Sequence, residues 1–260
     1  MSSKRILITG GSSGLGLELA KLMIDSGNTV VICSRSPEKL FFAKRQRNKL
    51  ITIPCDITES EDRNRLHEFI TKQLGGLDML INNAGIVTRF LIPKTDNLEN
   101  IITREWQTNY LAPVMLSKLF LNMLAESKGT IVNINSGLAF VPLFPQANYC
   151  ATKAALHSIT QSMRMQLSKY DVKVIEVFYP SVDTPFQQGQ APKNAISPEV
   201  ASKVAYQGII NGNEEIYVKM AGLLYRLSRL IPKRAIKMLN SVIPANFEEI
   251  LEKANSEQAQ

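Results

Sequence analysis

The sequence predicts one α/β domain built on a doubly wound parallel sheet with helices on both faces. Short, continuously apolar runs alternate with longer segments in which apolar residues recur at helical spacing. A glycine-rich turn joins the first apolar run to the first helical segment. Because parallel strands need helical crossovers and are buried on both faces, this alternation indicates a covered parallel sheet.

Seven runs are predicted to be strands. The first, Arg5–Thr9, is rich in strand-forming residues and ends in glycines, and the second, Thr29–Cys33, follows a Gly-Asn helix stop. The remaining predicted strands are Leu50–Ile53, Met79–Asn82, Thr130–Asn135, Val172–Phe178 and Glu215–Val218.

The predicted helices lie between these strands. Residues 15–26 carry one apolar face, and Pro37 opens a helix that continues through a basic stretch. Further helical patterns cover residues 59–74, 98–126 and 148–169, with approximate ends. Without repeats or linkers, we predict one domain, in which residues 219–260 form a basic amphipathic helical extension of residues 1–218.

The composition is that of a globular protein. Of 260 residues, 45% are hydrophobic and 20% charged, and the formal net charge is +7, which excludes a disordered chain. No apolar run approaches the 18 residues of a membrane span, and the N-terminal run is too short for a signal-peptide core. Three distant cysteines and two distant histidines predict neither a disulfide framework nor a metal site. We therefore expect a cytoplasmic protein.

The most informative motif is T-G-G-S-S-G-L-G at residues 9–16, between a predicted strand and a predicted helix. Such a turn lets the backbone approach a pyrophosphate, which the N–H groups of the helix then bind. Glycines that merely end a strand are the structural alternative. The predicted dinucleotide-binding residues are Gly10, Ser12, Ser13, Gly14, Leu15 and Gly16.

The residues after the second and third strands bear on the type of cofactor. Ser34 and Arg35 follow the second strand without a carboxylate, a pattern that favours the 2′-phosphate of NADP(H) over the diol of NAD(H). A solvated arginine is the alternative. Asp56, after the third strand, can accept a hydrogen bond from an adenine amino group or cap the next helix.

Ser136, Tyr149 and Lys153 are the candidate catalytic residues. Tyr149 and Lys153 are four residues apart on one helical face, where the ammonium is expected to lower the pKa of the phenol. Such a tyrosine can exchange a proton with a substrate oxygen, to which Ser136 can hydrogen-bond. Alone, Tyr-x-x-x-Lys is common as a solvated helix pair.

Together these motifs resemble the short-chain dehydrogenase/reductase family. The glycine motif, N-N-A-G at 82–85, Asn109, Ser136 and Y-C-A-T-K at 149–153 occur in its order and spacing, across residues 4–218. More narrowly, segments 136–140, 149–158 and 174–177 are similar to DltE-like bacterial oxidoreductases. The resemblance implies a Rossmann-type sheet of about seven strands. It also implies hydride transfer between NADP(H) and a carbonyl or secondary alcohol.

The resemblance also implies roles for single residues. Tyr149 is the acid/base, Ser136 the donor to the substrate oxygen, Lys153 both ribose ligand and modulator of the tyrosine, and Asn109 a proton-relay residue that holds a water. The further implied cofactor contacts are Asp56, Ile57, Asn83, Ala84, Gly85, Pro180, Val182 and Thr184, besides Tyr149 and Lys153 themselves. The chain departs from the family at Ser181, where a glycine is usual; serine still permits close approach if its φ is negative.

The substrate region is predicted to be apolar. Leu138 and Phe140 are expected to contact substrate together with Ser136 and Tyr149. The reason is that the loop from Ser136 to Tyr149 is rich in Phe, Leu and Pro. The alternative is that this loop packs under residues 185–186. Residues 184–198 are predicted to form a mobile lid. Cys150 is assigned to packing, and His157 to packing or to a surface position.

The C-terminal segment allows several interpretations. Residues 219–237 contain six basic and no acidic residues, with apolar residues at near-helical spacing. The segment can pack within the protein, which is the commonest outcome, form a lid or oligomer contact, or lie on a membrane through residues 222–243. We expect no nucleic-acid partner, because no reader motif is present. We do expect a homo-oligomer, as in the family. The alternative function is a non-catalytic NADP-binding protein that presents this helix to a membrane or partner.

Overall fold

A computed structural model of the chain describes residues 3–187 and 189–251. Seven parallel strands form one sheet in the order β3-β2-β1-β4-β5-β6-β7. The strands are β1 (Arg5–Thr9), β2 (Thr29–Ser34), β3 (Ile51–Pro54), β4 (Met79–Asn82), β5 (Thr130–Ser136), β6 (Lys173–Tyr179) and β7 (Glu215–Tyr217). The chain winds outward from β1 to β3 and then from β4 to β7, so the predicted doubly wound α/β fold is confirmed.

Helices cover both faces of this sheet. They are α1 (Gly14–Asp25), α2 (Pro37–Gln46), α3 (Ser60–Leu74), α4 (Leu98–Trp106), α5 (Ala112–Leu119), α6 (Leu121–Glu126), α7 (Ala147–Leu167), α8 (Pro198–Ile210), α9 (Met220–Leu230) and α10 (Pro232–Asn240). Successive side chains of a strand point to opposite faces. Ile6 and Ile8 therefore join the buried cluster beneath α1 and α8, whereas Leu7 joins the cluster beneath α3, α5 and α7.

The carboxyl ends of the strands bring the predicted site residues to one edge of the sheet. Thr9 ends β1, Asn82 ends β4 and Ser136 ends β5. The order changes direction between β1 and β4, where the outward loops diverge and leave a crevice. The loops after β1, β4, β5 and β6 converge there, which is the place where an α/β sheet binds ligands.

The predicted helix over residues 98–126 is broken in the structure. A π-helical turn, Gln107–Leu111, separates α4 from α5, and α6 follows as a further short helix. Pro113 lacks an N–H group, so the carbonyl of Asn109, four residues earlier, loses its usual α-helical donor. The apolar periodicity over this range is helical throughout and does not reveal the break.

Two further differences concern the second half of the chain. Helix α8 was not predicted, although Ser197 and Pro198 form a recognisable helix start, in which the Ser197 hydroxyl accepts from the Val200 N–H at 3.4 Å. In the described part of the C-terminal extension, residues 220–240 form two helices and not one, because Pro232 separates α9 from α10. Residues 1–2 of the predicted domain, 188 of the predicted lid and 252–260 of the extension lie outside the described residues.

The inner face of α9 is packed against the sheet domain. A Cβ atom on Gly137 would lie 2.9 Å from Leu224, so helix and loop are in close contact here. The Tyr225 ring packs against Phe140 and Tyr217, with centroids 5.1 Å away in each case. These contacts agree with the interpretation of packing within the protein.

The outer face of the extension remains exposed. Apolar side chains there lie among basic ones; they include Leu223, Leu230, Ile236, Met238 and Val242. Within the described part of the chain, no helix has the length and apolar character needed to cross a bilayer. Contact of this face with a membrane surface, and assembly into a homo-oligomer, both stay predictions.

The core beneath α5 and α6 predicts a large effect of Phe120→Ala. The Phe120 ring is fully buried, so its removal leaves a cavity, and we expect the free energy of unfolding to fall by about 3–5 kcal/mol. Urea denaturation measures this loss. Phe41→Ala is the matched control, because the Phe41 side chain is 59% exposed and should change stability by about 0.5 kcal/mol or less. Equal losses in both variants would contradict the described core.

Candidate active site

One large cavity opens at the carboxyl ends of the strands, with a volume of about 1060 Å³. All residues predicted to bind the cofactor line it. They are Gly10, Ser12, Ser13, Gly14, Leu15, Gly16, Ser34, Arg35, Asp56, Ile57, Asn83, Ala84, Gly85, Tyr149, Lys153, Pro180, Val182 and Thr184. Ser136 and Leu138 line it as well, whereas Asn109 and Phe140 do not.

The glycine turn forms one end of this cavity. Gly10 and Gly14 adopt left-handed backbone conformations, with φ of 64° and 53°. A Cβ atom on Gly16 would lie 2.5 Å from the carbonyl oxygen of Gly10, so only glycine fits there. The Asn83 amide donates to the carbonyl oxygens of Thr9 and Gly10, at 2.9 and 3.1 Å, and ties the turn to the loop after β4.

The N-terminus of α1 is suited to an anion. Ser13 caps this helix without a side-chain hydrogen bond, and the first turn contains no acidic residue. The first N–H groups of a helix have no intrahelical acceptor and carry a partial positive charge. A pyrophosphate against the glycine turn would satisfy them, so the residues present fit a dinucleotide.

Two cations stand at the β2 end of the cavity. Arg35 is exposed, and Lys39, which the sequence analysis did not single out, lines the same end from the first turn of α2. Paired cations fit a phosphate better than a bare ribose diol. Across from them, both hydrogen bonds of the Asp56 carboxylate go to Oδ1, from Thr58 N and Thr58 Oγ1 at 3.0 and 2.7 Å. Asp56 therefore organises the turn before α3, whose N-cap is Glu59.

Ser136, Tyr149 and Lys153 come together in the middle of the cavity. The Tyr149 and Ser136 side chains lie together in this cavity, because β5 and α7 bring them to the same place. Lys153 lies one turn along α7, with Nζ 5.8 Å from the centroid of the Tyr149 ring, and it donates to the Ile134 carbonyl at 2.8 Å. All three side chains are buried.

The charge balance of this group differs from the prediction. Burial raises the pKa of the Tyr149 phenol well above its usual value, and the hydrogen bond from Ser136 offsets only part of this. Burial also lowers the pKa of Lys153 to about 8, against an opposing effect of Glu176. The pKa of Tyr149 is therefore raised and not lowered as expected, because desolvation of the phenol is the largest effect on it.

Asn109 lies behind the cavity wall. Its side-chain amide accepts from the Ile86 N–H and donates to the Ile86 carbonyl, each at 2.9 Å, and also donates to Thr152 Oγ1 at 3.2 Å. The side chain thus fixes the loop after β4 against the π-helical turn.

A buried polar network behind the catalytic candidates was missed by the sequence analysis. Asn135 Nδ2 donates to the Lys153 carbonyl at 3.0 Å and to Glu176 Oε1 at 2.6 Å, while its Oδ1 accepts from the Ser136 N–H at 2.8 Å. His157 Nδ1 lies 2.9 Å from the second oxygen of Glu176. A single glutamate in the apolar run of β6 is the signal for this network, because a buried carboxylate requires partners.

The far end of the cavity is largely apolar. Leu138, Leu143 and Pro145 line it, and the Phe186 ring lies 5.7 Å from the Tyr149 ring. Phe140 does not reach this wall: its ring packs at 4.7 Å from Phe178, among other aromatic rings beneath α9. The predicted contact of Phe140 with substrate is therefore corrected, because the sequence does not show this aromatic cluster.

Two other assignments agree with the structure. Cys150 packs beside the loop before α7, where its Sγ accepts from the Leu143 N–H at 3.4 Å, and burial raises the pKa of its thiol to about 11. The His157 ring packs between Phe140 and Phe178, with centroids 5.2 and 5.3 Å away. Both side chains therefore pack as expected, and His157 also binds Glu176.

The segment after β6 covers the cavity. Ser181 does not have a positive φ, so the departure from glycine introduces no backbone strain. Its carbonyl accepts from the Ile196 N–H at 3.2 Å, and this bond closes the loop of the predicted lid. The C-terminal extension adds apolar lining that the sequence analysis did not predict: Leu239, Val242, Ile243 and Phe247. The mobility of the lid stays a prediction.

Comparison with known proteins gives consistent matches. The family model described as short chain dehydrogenase matches residues 4–195. The chain is 36% identical to a protein named uncharacterized oxidoreductase DltE, from Bacillus subtilis (strain 168), over 259 residues that cover 99% of each chain.

Solved structures with the same fold include two dehydrogenases. A short chain dehydrogenase from Burkholderia cenocepacia J2315, in complex with NADP, superposes with a TM-score of 0.82 at 24% identity and covers 92% of this chain and 98% of its own. A short-chain dehydrogenase from Sphingobium yanoikuyae, in complex with NADPH, has a TM-score of 0.76 at 24% identity, over 93% and 97% of the two chains.

The family match spans most of the chain, and the similarity to DltE extends over nearly all of it, so the resemblance inferred from the motifs is confirmed. The chain belongs to the short-chain dehydrogenase family of oxidoreductases.

Proposed function

We propose that the protein reduces a carbonyl group of a small, partly apolar molecule to a secondary alcohol, with NADPH as the cofactor. The observation that carries this proposal is that Ser136, Tyr149 and Lys153 line one cavity, which has a glycine-lined end and an apolar end. The cavity can hold a dinucleotide and a second molecule side by side. The related folds with bound NADP and NADPH support the choice of cofactor.

The chain's own residues account for binding of the cofactor. The N–H groups at the start of α1 would bind the pyrophosphate, while Arg35 and Lys39 would bind a 2′-phosphate. Lys153 and Tyr149 would contact the nicotinamide ribose, and Thr184 closes over the glycine turn, 3.3 Å from where a Cβ on Gly14 would lie. Bound NADPH supplies the hydride.

Ser136 and Tyr149 handle the oxygen of the substrate. Ser136 donates a hydrogen bond to the carbonyl oxygen, and Tyr149 gives its proton to the alkoxide as it forms. Burial keeps the phenol protonated over the physiological range, so Tyr149 is ready to act as an acid. A protonated tyrosine favours the direction of reduction.

Lys153 and Asn109 restore the proton. The Lys153 ammonium, held by the Ile134 carbonyl, lowers the cost of the phenolate that Tyr149 becomes after the transfer. Asn109, fully buried behind the cavity wall, would hold a water through which a proton returns. Asn135 binds the backbone at Ser136 and at Lys153, and so holds these two residues at a fixed position relative to each other.

Tyr149→Phe tests the role of the phenol. We expect kcat to fall by at least about 100-fold, because the proton donor is lost, while the Kd for NADPH changes by less than about threefold. Nicotinamide absorbance and a fluorescence titration measure the two quantities. The control is Tyr170→Phe, which removes an exposed hydroxyl and should leave both unchanged. Undiminished turnover in the first variant would favour the non-catalytic alternative.

Arg35→Asp tests the cofactor preference. Loss of a charge-assisted hydrogen bond to phosphate and the new repulsion should weaken NADPH binding by about 10- to 100-fold, and NADH binding far less. Titration of both cofactors measures the ratio. Arg45→Asp makes the same charge change on an exposed position of α2 outside the cavity, and is expected to affect neither. If Arg35→Asp weakens NADH more than NADPH, the preference is refuted.

The lowered pKa of Lys153 predicts an alkaline limb in the pH profile. A buried lysine with a pKa of about 8 loses its ammonium proton as the pH rises through that value, whereas an ordinary lysine keeps it to about pH 10. We therefore expect kcat/KM for NADPH to decline above about pH 8, since this ratio reports groups of the free enzyme. Circular dichroism at each pH controls for unfolding. A flat profile from pH 7 to pH 10 would rule out the ammonium as the required form.

A further inference from the structure

Arg89 is a half-buried cation at the apolar end of the cavity. It lies in the loop after β4, four residues beyond Gly85, and lines the cavity wall. Its guanidinium donates to Gln187 Oε1 at 3.1 Å and to the Gln187 carbonyl at 3.5 Å. Both acceptors are neutral amide oxygens of the segment that covers the site.

The described residues do not balance the charge of Arg89. Among residues 3–187 and 189–251, no carboxylate lies within ion-pair distance of its guanidinium. Glu105, the buried acid beside this loop, instead accepts hydrogen bonds from the Thr88 N–H and the Asn148 amide. Burial lowers the pKa of Arg89 without an opposing charge. Partly buried cations ordinarily have an anionic partner, so this one has capacity to bind an anion.

The position of Arg89 points to the substrate rather than to the cofactor. Gln187, its hydrogen-bond partner, directly follows Phe186, whose ring faces Tyr149. On the other side, the Phe90 N–H donates to the Pro145 carbonyl at 3.0 Å, and Pro145 lines the apolar wall. The cations at the phosphate end lie on the opposite side of the glycine turn, where Arg35 directly follows β2 and Lys39 belongs to α2.

We propose that Arg89 binds the carboxylate of the substrate, so that the protein reduces an oxo acid whose carbonyl lies at Ser136 and Tyr149 and whose apolar chain lies along Phe186 and Leu143. This inference rests on the proposed function. A guanidinium binds a carboxylate with two parallel hydrogen bonds, and its single charge balances one carboxylate. A phosphate monoester, with a charge near −2, would keep an unbalanced charge in a partly apolar site.

The test compares straight-chain oxo acids of increasing length with their methyl esters. In the native protein, kcat/KM for the best acid should exceed that for its ester at least tenfold. Arg89→Gln should raise KM for the acid at least tenfold and leave KM for the ester within threefold, with kcat for the ester unchanged. Arg89→Lys keeps the charge and should restore part of the preference for the acid. Equal effects of Arg89→Gln on acid and ester would overturn the assignment.

Two controls separate charge recognition from other roles of Arg89. Gln187→Ala removes the side-chain acceptor of Arg89 on the covering segment, leaves the longer bond to the backbone carbonyl and keeps the cation, and should retain the preference for acids. If it abolishes that preference as Arg89→Gln does, Arg89 acts only by fixing the segment and the proposal fails. Arg104→Gln makes the same change of net charge at an exposed position on α4 and should leave every constant unchanged.

A binding measurement keeps this inference distinct from the proposed function. Saturated fatty acids of matching length, which have no carbonyl to reduce, should bind the protein–NADPH complex in a thermal-shift titration, and Arg89→Gln should weaken that binding at least tenfold. This result would support the anion site even if no ketone were reduced. Absence of binding in the native complex, or tighter binding of the matching alkyl phosphate, would overturn the carboxylate assignment.

Discussion

The arrangement of the site depends on the three hydrogen bonds of one buried amide, that of Asn135. This side chain binds the backbone at Ser136 and at Lys153, and so fixes the end of β5 against α7. Glu176 on β6 accepts its remaining proton, and is in turn bound by His157. In a water-poor interior each unmade bond of this set would cost about 1–3 kcal/mol, so the network holds the catalytic candidates in one geometry.

Sequence patterns identified those helices and strands whose structure depends on their own residues and not on distant contacts. Met79–Asn82 has the predicted bounds, since a buried parallel strand is apolar on both faces and stands out from its flanks. The break at Gln107–Leu111 was not visible in the same way. It depends on the lack of an N–H at Pro113 and on the bonds from Asn109 to Ile86, which is 23 residues away in sequence. Tertiary contacts of this kind leave no trace in apolar periodicity.

The same distinction holds within the site. The glycine turn could be identified because glycine adopts a positive φ, as Gly10 does, that few other residue types adopt. The apolar wall was not, because Phe140 and Phe186 are equally apolar in sequence. Only the aromatic cluster beneath α9 shows why Phe140 turns away from the cavity while Phe186 faces Tyr149. Leu239 and Phe247 reach the cavity only because α9 and α10 fold back across it.

Burial acts differently on three ionisable side chains of the cavity, those of Tyr149, Lys153 and Arg89. For Tyr149 it favours the neutral phenol, which suits a group that must give up a proton. For Lys153 it lowers the pKa to about 8, so that the ammonium gives up its proton more easily than an ordinary lysine does. Arg89 cannot follow them, because a guanidinium keeps its proton at any physiological pH. Its burial is therefore compensated by a partner and not by neutralisation, and within the cavity that partner is the ligand. An anionic group bound at Arg89 would leave the reacting carbonyl free to lie against the protonated Tyr149. The same low-dielectric cleft therefore orients the substrate and keeps the phenol that protonates it in its neutral form.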